Sequence, residues 1–329
     1  MKWHRQLAIL GTASLLLGLT GCSGSSANTD PISYTGTALD TVISIKIYDS
    51  QDNNLLTKCQ KICDDYEARL SRTREGSEIW QINHAEGAYT EVSDDTLKLI
   101  REGLHYSELS DGAFDITIGT VTELWDFKSD DPQVPDASVL AEAVTHVDYH
   151  NVEIDGNLVR LSDPKSKIDL GAIAKGFIAD KLKEYLKSEG VEHALIDLGG
   201  NVLAIGDKPD GSSFLIGIQK PFDDRGEPIA SIELNDQATV TSGTYQRYFE
   251  KDGDFYHHIL QPSNGMPCNN GLNSVTILTD SSLTADALST TTFLLGPDKG
   301  MDLINSLDGV EAVFIDTDNN LTYSDNFPK

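Results

Sequence analysis

The stretch from residue 168 to residue 206 constrains the fold more than any other part of the chain. Residues 172–189 carry large apolar side chains on one stripe, as an amphipathic helix does: Ile173, Phe177, Leu182 and Leu186. Gly190 follows at the position where a helix commonly ends. Residues 194–198 then read as a buried strand, which ends at Gly199 and Gly200. A helix is therefore expected directly beside a buried strand.

The rest of the chain mixes both kinds of element. Residues 41–48 alternate as a half-buried strand does, and residues 152–161 predict a hairpin around Asp155-Gly156-Asn157. Further helices are predicted over 54–70, 93–109 and 283–294. Because hairpins occur among helices, we expect an α+β fold with mixed, largely antiparallel sheets, packed helices and two intimately associated subdomains.

The N-terminus resembles a bacterial lipoprotein signal. Residues 1–21 combine a basic start with an apolar core too short to span a bilayer comfortably. The sequence Leu19-Thr20-Gly21-Cys22 resembles a lipobox, in which Cys22 would be lipidated; a plain secretory signal is the alternative. Residues 22–32 read as a polar tether and 33–329 as the folded domain. We expect a lipid anchor at the extracytoplasmic face of the bacterial cell membrane.

The charge of the chain limits its partners. The formal net charge is −27 at neutral pH, and loss of Lys2 and Arg5 with the signal would make it more negative. Such a chain repels nucleic acid and anionic lipid, so we expect no nucleic-acid partner and membrane attachment through the lipid alone. A phosphorylated ligand would need local positive charge, from Lys175, from helix amides or from a metal ion.

Apart from Cys22, three cysteines remain: Cys59, Cys63 and Cys268. An odd number argues against a full disulfide framework. No histidine or second cysteine pair accompanies Cys59 and Cys63 as a zinc site would require. Buried, inert thiols are the expectation for all three.

The segment Ala285–Thr290 contains an acid and a hydroxyl four residues apart. On a helix, Asp286 and Thr290 would share one face, with Cβ atoms roughly 5–6 Å apart. A carboxylate with a neutral hydroxyl suits Mg²⁺, which takes few oxygen ligands from protein. The alternative is structural, with Thr290 bonded back to its own helix and Asp286 capping a neighbour.

The segment Asp169–Gly176 places a glycine turn before a helix, with Lys175 in its first turns. Helix amides with an ammonium group suit an anion. The spacing fits neither a Walker loop nor a dinucleotide-binding fingerprint. A tight strand-to-helix turn with a solvated lysine is the other interpretation.

Two further segments could contribute to a site. His257 and His258 end a predicted strand, where neighbouring side chains point to opposite faces, so at most one should reach a given site. A histidine there can accept a proton near neutral pH or serve a structural role. In Ala113-Phe114-Asp115, the aromatic could stack on a ring and the acid could bind a ribose hydroxyl, although such a loop is most often simply packed.

Six ordered segments together resemble the FAD:protein FMN transferases, the ApbE-type flavin transferases. They cover nearly the whole chain after the tether and lie at residues 110–127, 168–180, 194–206, 240–249, 257–267 and 285–296. The resemblance implies Mg²⁺-dependent cleavage of FAD, transfer of FMN to a threonine or serine hydroxyl of a target flavoprotein, and release of AMP. It also agrees with a lipid-anchored protein, since known members are often lipoproteins.

The resemblance also implies roles for individual residues. The metal would be bound by the side chains of Asp286 and Thr290 and by the carbonyl of Ala172, with Ser289 beside them. FAD would be held by Asp169, by Lys175 and by the loop Ala113-Phe114-Asp115. His258 would act as the base at the pyrophosphate, and Thr73 is the residue expected on the adenine side.

The chain departs from the family pattern in two places. Leu39-Asp40-Thr41 stands where Met-Gly-Thr is common, and Pro262-Ser263-Asn264-Gly265 stands where Pro-Arg-Thr-Gly is usual. Two other functions remain compatible with the sequence. In an FAD pyrophosphatase, water would replace the protein hydroxyl. A lipid-anchored flavin-binding protein would bind FAD without catalysis.

Overall fold

The centre of the protein is an antiparallel sheet, which begins with the hairpin β1 (Ile32–Ala38) and β2 (Thr41–Ile47). The computed structural model describes residues 30–223 and 228–328. Within them, eight strands pair in the order β1-β2-β6-β7-β10-β13-β14-β15. The other six strands are β6 (Ala194–Leu198), β7 (Asn201–Ile205), β10 (Ala238–Gly243), β13 (Leu272–Thr279), β14 (Glu311–Asp316) and β15 (Leu321–Tyr323).

Smaller sheets and the helices surround this sheet. The remaining strands are β3 (Thr90–Glu91), β4 (Val152–Asp155), β5 (Leu158–Leu161), β8 (Phe214–Ile218), β9 (Ala230–Leu234), β11 (Tyr248–Lys251) and β12 (Asp254–His257). The helices are α1 (Asn53–Leu70), α2 (Glu78–Asn83), α3 (Asp94–Leu109), α4 (Gly119–Thr122), α5 (Ala137–Val144), α6 (Ala174–Ser188), α7 (Ser282–Leu295) and α8 (Pro297–Asn305), with a 3-10 turn at Tyr149–Asn151. The predicted α+β class with largely antiparallel sheets is confirmed.

Three apolar clusters join these elements. The largest lies between the helices and one face of the central sheet, and it includes Ile45 of β2 and Phe177 of α6. A second cluster packs the β8–β9 hairpin against the other face, through residues such as Leu234. A third surrounds Trp125 and Phe249, where α4 and α5 meet the β11–β12 hairpin. Residues from Pro31 to Lys329 form one compact unit around these clusters.

The predicted elements agree closely with the observed ones. The helix predicted over 54–70 is Asn53–Leu70, and the one over 93–109 is Asp94–Leu109 with Ser93 as its N-cap. The helix predicted from residue 172 begins two residues later, at Ala174. Cys59, Cys63 and Cys268 are free and buried, as predicted, and burial raises the pKa of Cys59 and Cys63 to about 12.

The signal peptide and the lipid anchor are predicted for the N-terminus of the chain. Residues 1–29, with Cys22 and the expected signal peptide, lie outside the described residues. Among the helices that are described, none has the length and apolar character needed to cross a membrane. The lipid anchor therefore stays a prediction.

The close approach of α6 and α7 depends on Gly176. A Cβ at this position would lie 2.2 Å from the carbonyl oxygen of Ser282 and 2.7 Å from Cβ of Asp286. Both distances are shorter than atoms can approach, so any side chain would push the two helices apart. Helix α7 carries Asp286, and the glycine therefore fixes where this carboxylate stands against α6.

The substitution Gly176→Ala tests this packing. We expect a loss of unfolding free energy of about 1–3 kcal/mol, because overpacking a close contact forces backbone shifts. Urea denaturation followed by circular dichroism measures it. Glu184→Ala, at an exposed position of the same helix, should change stability by less than about 0.5 kcal/mol. Equal stability of Gly176→Ala and the wild type would show that the helices are not in close contact.

Candidate active site

The candidate site forms where α7 crosses the start of α6. Asp286, on α7, is 3% exposed. Its Oδ2 accepts a hydrogen bond of 2.8 Å from the backbone N–H of Gly176, and its Oδ1 lies 3.6 Å from Nζ of Lys175. The segments Asp169–Gly176 and Ala285–Thr290, which the sequence analysis treated separately, are thus in direct contact.

The Gly176 amide is capped by Asp286 at the start of α6. Gly176 is the third residue of this helix, and the first N–H groups of a helix have no acceptor within it. The N–H of Gly176 donates to Asp286, and among the described residues no donor bonds the Ala172 carbonyl, which lies before the helix. The structural alternative for Asp286, capping of a neighbour, is therefore observed for one of its carboxylate oxygens. The unbonded Ala172 carbonyl is a separate acceptor that a ligand could use.

Burial dominates the electrostatics of Asp286. Removal from water raises the pKa of this carboxyl, because the charged form loses its hydration. The Lys175 ammonium, the Gly176 N–H and the Asn201 side chain oppose the rise. Asn201, at the start of β7, is 2% exposed, and its Nδ2 is near enough to Asp286 to favour the charged carboxylate but completes no hydrogen bond within the described chain. The site thus contains an amide donor beside a buried carboxylate.

Thr290 lies one turn beyond Asp286 on α7 and is half-buried. Its Oγ1 is 3.0 Å from Oγ of Ser242 on β10. It does not bond back to its own helix, whereas Thr292 donates to the Leu288 carbonyl at 2.7 Å. Ser289 lies beside it, with Oγ 2.8 Å from Oγ of Ser242.

The two histidines occupy different environments, as strand alternation predicts. His257 is 0% exposed, and its ring lies edge-on to Phe293 of α7, with ring centroids 6.1 Å apart. His258 is half-buried, and its Nδ1 lies 3.3 Å from the carbonyl oxygen of Arg247. Since a carbonyl only accepts, this contact assigns the proton of a neutral His258 to Nδ1. The lone pair of Nε2 is then free to accept a proton.

Positive charge and burial keep His258 neutral. Desolvation, the Arg247 guanidinium, His257 and the Lys175 ammonium together lower the pKa of His258 to about 3. Arg247 was missed from the sequence, because only the ladder between β11 and β12 brings it beside the histidine. Its guanidinium supplies local positive charge beside His258.

A cleft of about 460 Å³ opens beside the Asp169 turn. Asp169 Oδ2 accepts from Oγ1 of Thr122 at 2.8 Å and lies 3.0 Å from Nε of Arg72. Arg72, Thr73, Trp80 and Thr122 are among its lining residues. Thr73 lines this cleft, and its expected contact with FAD stays a prediction. The Asp169 carboxylate bonds two residues of the cleft wall, Thr122 and Arg72, and so holds them in place.

The loop Ala113-Phe114-Asp115 is packed into the protein. Phe114 is 4% exposed and belongs to the main core, and Ala113 is half-buried. Asp115 Oδ1 accepts from the Thr117 N–H and hydroxyl at 2.7 Å each, and Oδ2 accepts from the Tyr149 N–H at 2.9 Å. Stacking or ribose binding by these side chains stays a prediction.

The first departure from the family pattern forms a strained hairpin turn. Leu39 and Asp40 connect β1 to β2 with φ values of 54° and 61°, in the left-handed region that two-residue hairpin turns require. The Asp40 carboxylate lies 2.8 Å from Nζ of Lys128, and its carbonyl accepts from Arg247 at 3.3 Å. The turn is therefore connected to the strand that positions His258.

Comparison with known proteins agrees with this geometry. The sequence model of the ApbE family matches residues 39–314, and the chain belongs to this family. A FAD:protein FMN transferase of Klebsiella pneumoniae (strain 342) is 38% identical over 286 residues, which cover 86% of this chain and 88% of the relative. A FAD:protein FMN transferase of Treponema pallidum (strain Nichols) is 33% identical over 92% of this chain and 88% of its own length.

Solved structures show the same fold. The ApbE protein of Thermotoga maritima superposes with a TM-score of 0.82 at 34% identity, over 90% of this chain and 97% of that one. The flavin transferase ApbE of Vibrio cholerae gives a TM-score of 0.82 at 29% identity, over 91% and 98% of the two chains. Because both overlaps cover nine-tenths or more of each chain, the fold of the domain corresponds almost throughout.

The protonation state of His258 can be measured directly. We expect the imidazole to stay neutral between pH 8 and about pH 4, since its pKa is lowered to about 3. The unfolded chain binds this proton below about pH 6.5, so the contribution of His258 to stability is complete above that pH and is lost as the pH falls toward 3. NMR titration of the ring carbon and nitrogen shifts checks the assignment.

Arg247→Gln provides the comparison for that titration. Loss of the guanidinium should raise the pKa of His258, because a neighbouring cation disfavours imidazolium. Lys251→Gln, farther along the same strand, should leave the titration unchanged. A wild-type His258 that titrates near 6.5 would contradict the proposed environment.

Proposed function

We propose that this protein transfers FMN from FAD to a threonine or serine hydroxyl of a target flavoprotein and releases AMP. The observation that carries the proposal is the contact of Asp286 with Lys175 and Gly176, beside the unbonded carbonyl of Ala172. Relatives at 33–38% identity are named FAD:protein FMN transferases. The site and the names of these relatives point to the same reaction.

We propose Mg²⁺ as the cofactor, held by Asp286, Thr290 and the Ala172 carbonyl. All three donors are oxygens, as Mg²⁺ prefers, and the unbonded carbonyl is the kind of group that a ligand satisfies. The described residues contain no group of three or more His, Cys, Asp or Glu side chains placed to hold a metal. A site with one carboxylate fits an ion that keeps several water and phosphate ligands. When bound, Mg²⁺ supplies positive charge to the pyrophosphate.

The residues of the chain then have separate tasks in the transfer. The hydroxyl oxygen of the target attacks the phosphorus on the flavin side, the bond to the bridging oxygen breaks, and AMP leaves. Lys175 and Arg247 stabilise the negative charge of the phosphates. Nε2 of His258 accepts the hydroxyl proton. A bound pyrophosphate would raise the low pKa of His258, because a neighbouring anion favours imidazolium.

Asp286→Asn tests the assignment. We expect FMN transfer to fall by roughly 10²-fold or more, because the amide cannot supply the charge of the carboxylate. The assay incubates the protein with FAD, Mg²⁺ and a candidate target and reads flavin fluorescence on a denaturing gel. Asp298→Asn, an exposed acid in α8, is the matched control and should transfer at the wild-type rate.

Three outcomes would contradict the proposal. Wild-type transfer by Asp286→Asn at limiting Mg²⁺ would remove this carboxylate from the metal site. Free FMN with no labelled target, across several candidate flavoproteins, would instead identify an FAD pyrophosphatase. Tight FAD binding with no AMP formed would identify a binding protein.

We further propose that lipidation of Cys22 attaches the domain to the extracytoplasmic face of the cell membrane. The support is the lipobox-like sequence before Cys22 and the polar tether after it. Cys22→Ser should move the protein from the membrane fraction to the soluble fraction, as measured by immunoblot after fractionation. Equal distribution of the wild type and Cys22→Ser would contradict the anchor.

A further inference from the structure

Three hydroxyl groups form a continuous chain between α7 and the sheet. Thr290 Oγ1 is 3.0 Å from Ser242 Oγ, and Ser242 Oγ is 2.8 Å from Ser289 Oγ. Ser289 Oγ is in turn 2.8 Å from the carbonyl oxygen of Asp286. The chain thus begins at one proposed metal ligand and ends on the backbone of the other.

The end of this chain fixes the direction of every proton in it. A carbonyl only accepts, so the Ser289 hydroxyl donates to the Asp286 carbonyl. Each hydroxyl has one proton, so Ser242 must donate to Ser289, and Thr290 must donate to Ser242. The Thr290 proton therefore points toward β10, and the lone pairs of its oxygen carry no hydrogen bond from Ser242.

Asn201 and Ser242 are offset along the sheet by about the distance that separates Asp286 from Thr290 along α7. Asn201 on β7 pairs with Val240 on β10, and Ser242 follows two residues later. Two strand residues span about 7 Å, and the four helical residues from Asp286 to Thr290 span about 6 Å. The Asn201 side chain lowers the pKa of Asp286, and Ser242 Oγ contacts Thr290 Oγ1. Each proposed metal ligand thus has one strand residue beside it.

We propose that Ser242 is a positioning residue for the divalent cation. Ser242 Oγ accepts the hydrogen bond of the Thr290 hydroxyl, so that the Thr290 oxygen presents lone pairs to the metal. The inference rests on the proposed function. A hydroxyl proton aimed at a cation would repel it, so the orientation of this one proton decides whether Thr290 binds. Groups that orient metal ligands in this way change metal affinity roughly 10–100-fold when removed.

The test is the dissociation constant of Mn²⁺, read from the EPR signal of the free ion with the purified protein, with and without FAD. Ser242→Ala should raise this constant roughly 10–100-fold. Ser242→Thr keeps a hydroxyl and should restore binding to within a few-fold of the wild type. The matched control is Thr241→Val. It removes the neighbouring hydroxyl, which pairs with Thr276 Oγ1 at 2.8 Å on the other face of β10, and should leave Mn²⁺ binding unchanged.

The outcomes separate this inference from the proposed function. Wild-type Mn²⁺ affinity in Ser242→Ala, while Asp286→Asn binds weakly, would overturn the role of Ser242 and leave the metal site intact. Equal Mn²⁺ affinity in the wild type and Asp286→Asn would overturn the metal site itself. Circular dichroism checks that each variant is folded. If Ser242→Ala does not fold, Ser289→Ala interrupts the same chain and should also weaken binding.

Discussion

The hydrogen bond from the Gly176 N–H to Asp286 is the contact on which the rest of the site depends. It joins the first turn of α6 to the middle of α7, and it is possible only because residue 176 has no side chain. The same bond satisfies one of the N–H groups at the start of α6 that have no acceptor within the helix. One interaction therefore holds two helices together, caps α6 and orients a buried carboxylate.

Positive charge is concentrated in the candidate site, although the protein as a whole is negative. The chain as a whole is strongly negative, yet Lys175 and Arg247 both act on His258, and Arg72 faces the neighbouring cleft. Steering of an anionic ligand from a distance is therefore weak, and binding depends on charges within the site. Such an arrangement suits a ligand that brings a metal ion with its phosphates.

The sequence predicted the long helices and the hairpin around Asp155-Gly156-Asn157, and it missed three short helices. The helices around Phe177 and Leu99 were found because their apolar stripes are long. The short helices Glu78–Asn83, Ala137–Val144 and Pro297–Asn305 carry too few turns to give such a signal. Asp286 and Thr290 were found because helical spacing alone relates them.

Site residues that come from strands could not be predicted in the same way. Asn201, Ser242 and Arg247 reach the site through the pairing of β7 with β10 and of β11 with β12. Strand register depends on contacts between distant parts of the chain, which a single sequence does not display. The packing of the loop at Phe114 likewise depends on distant contacts, since the ring lies in the main core, while the predicted ligand contact of the loop stays a prediction.

The central claim is that a divalent cation binds between Asp286 and Thr290, against the pyrophosphate of FAD. A crystal of the protein grown with FAD and Mn²⁺ tests it through the anomalous scattering of manganese. The account predicts an anomalous peak about 2–2.5 Å from an Asp286 carboxylate oxygen, Thr290 Oγ1 and the Ala172 carbonyl, a range typical of oxygen ligands to hard cations. A peak elsewhere, or FAD bound with Asp286 still facing only Lys175 and Gly176, would contradict it.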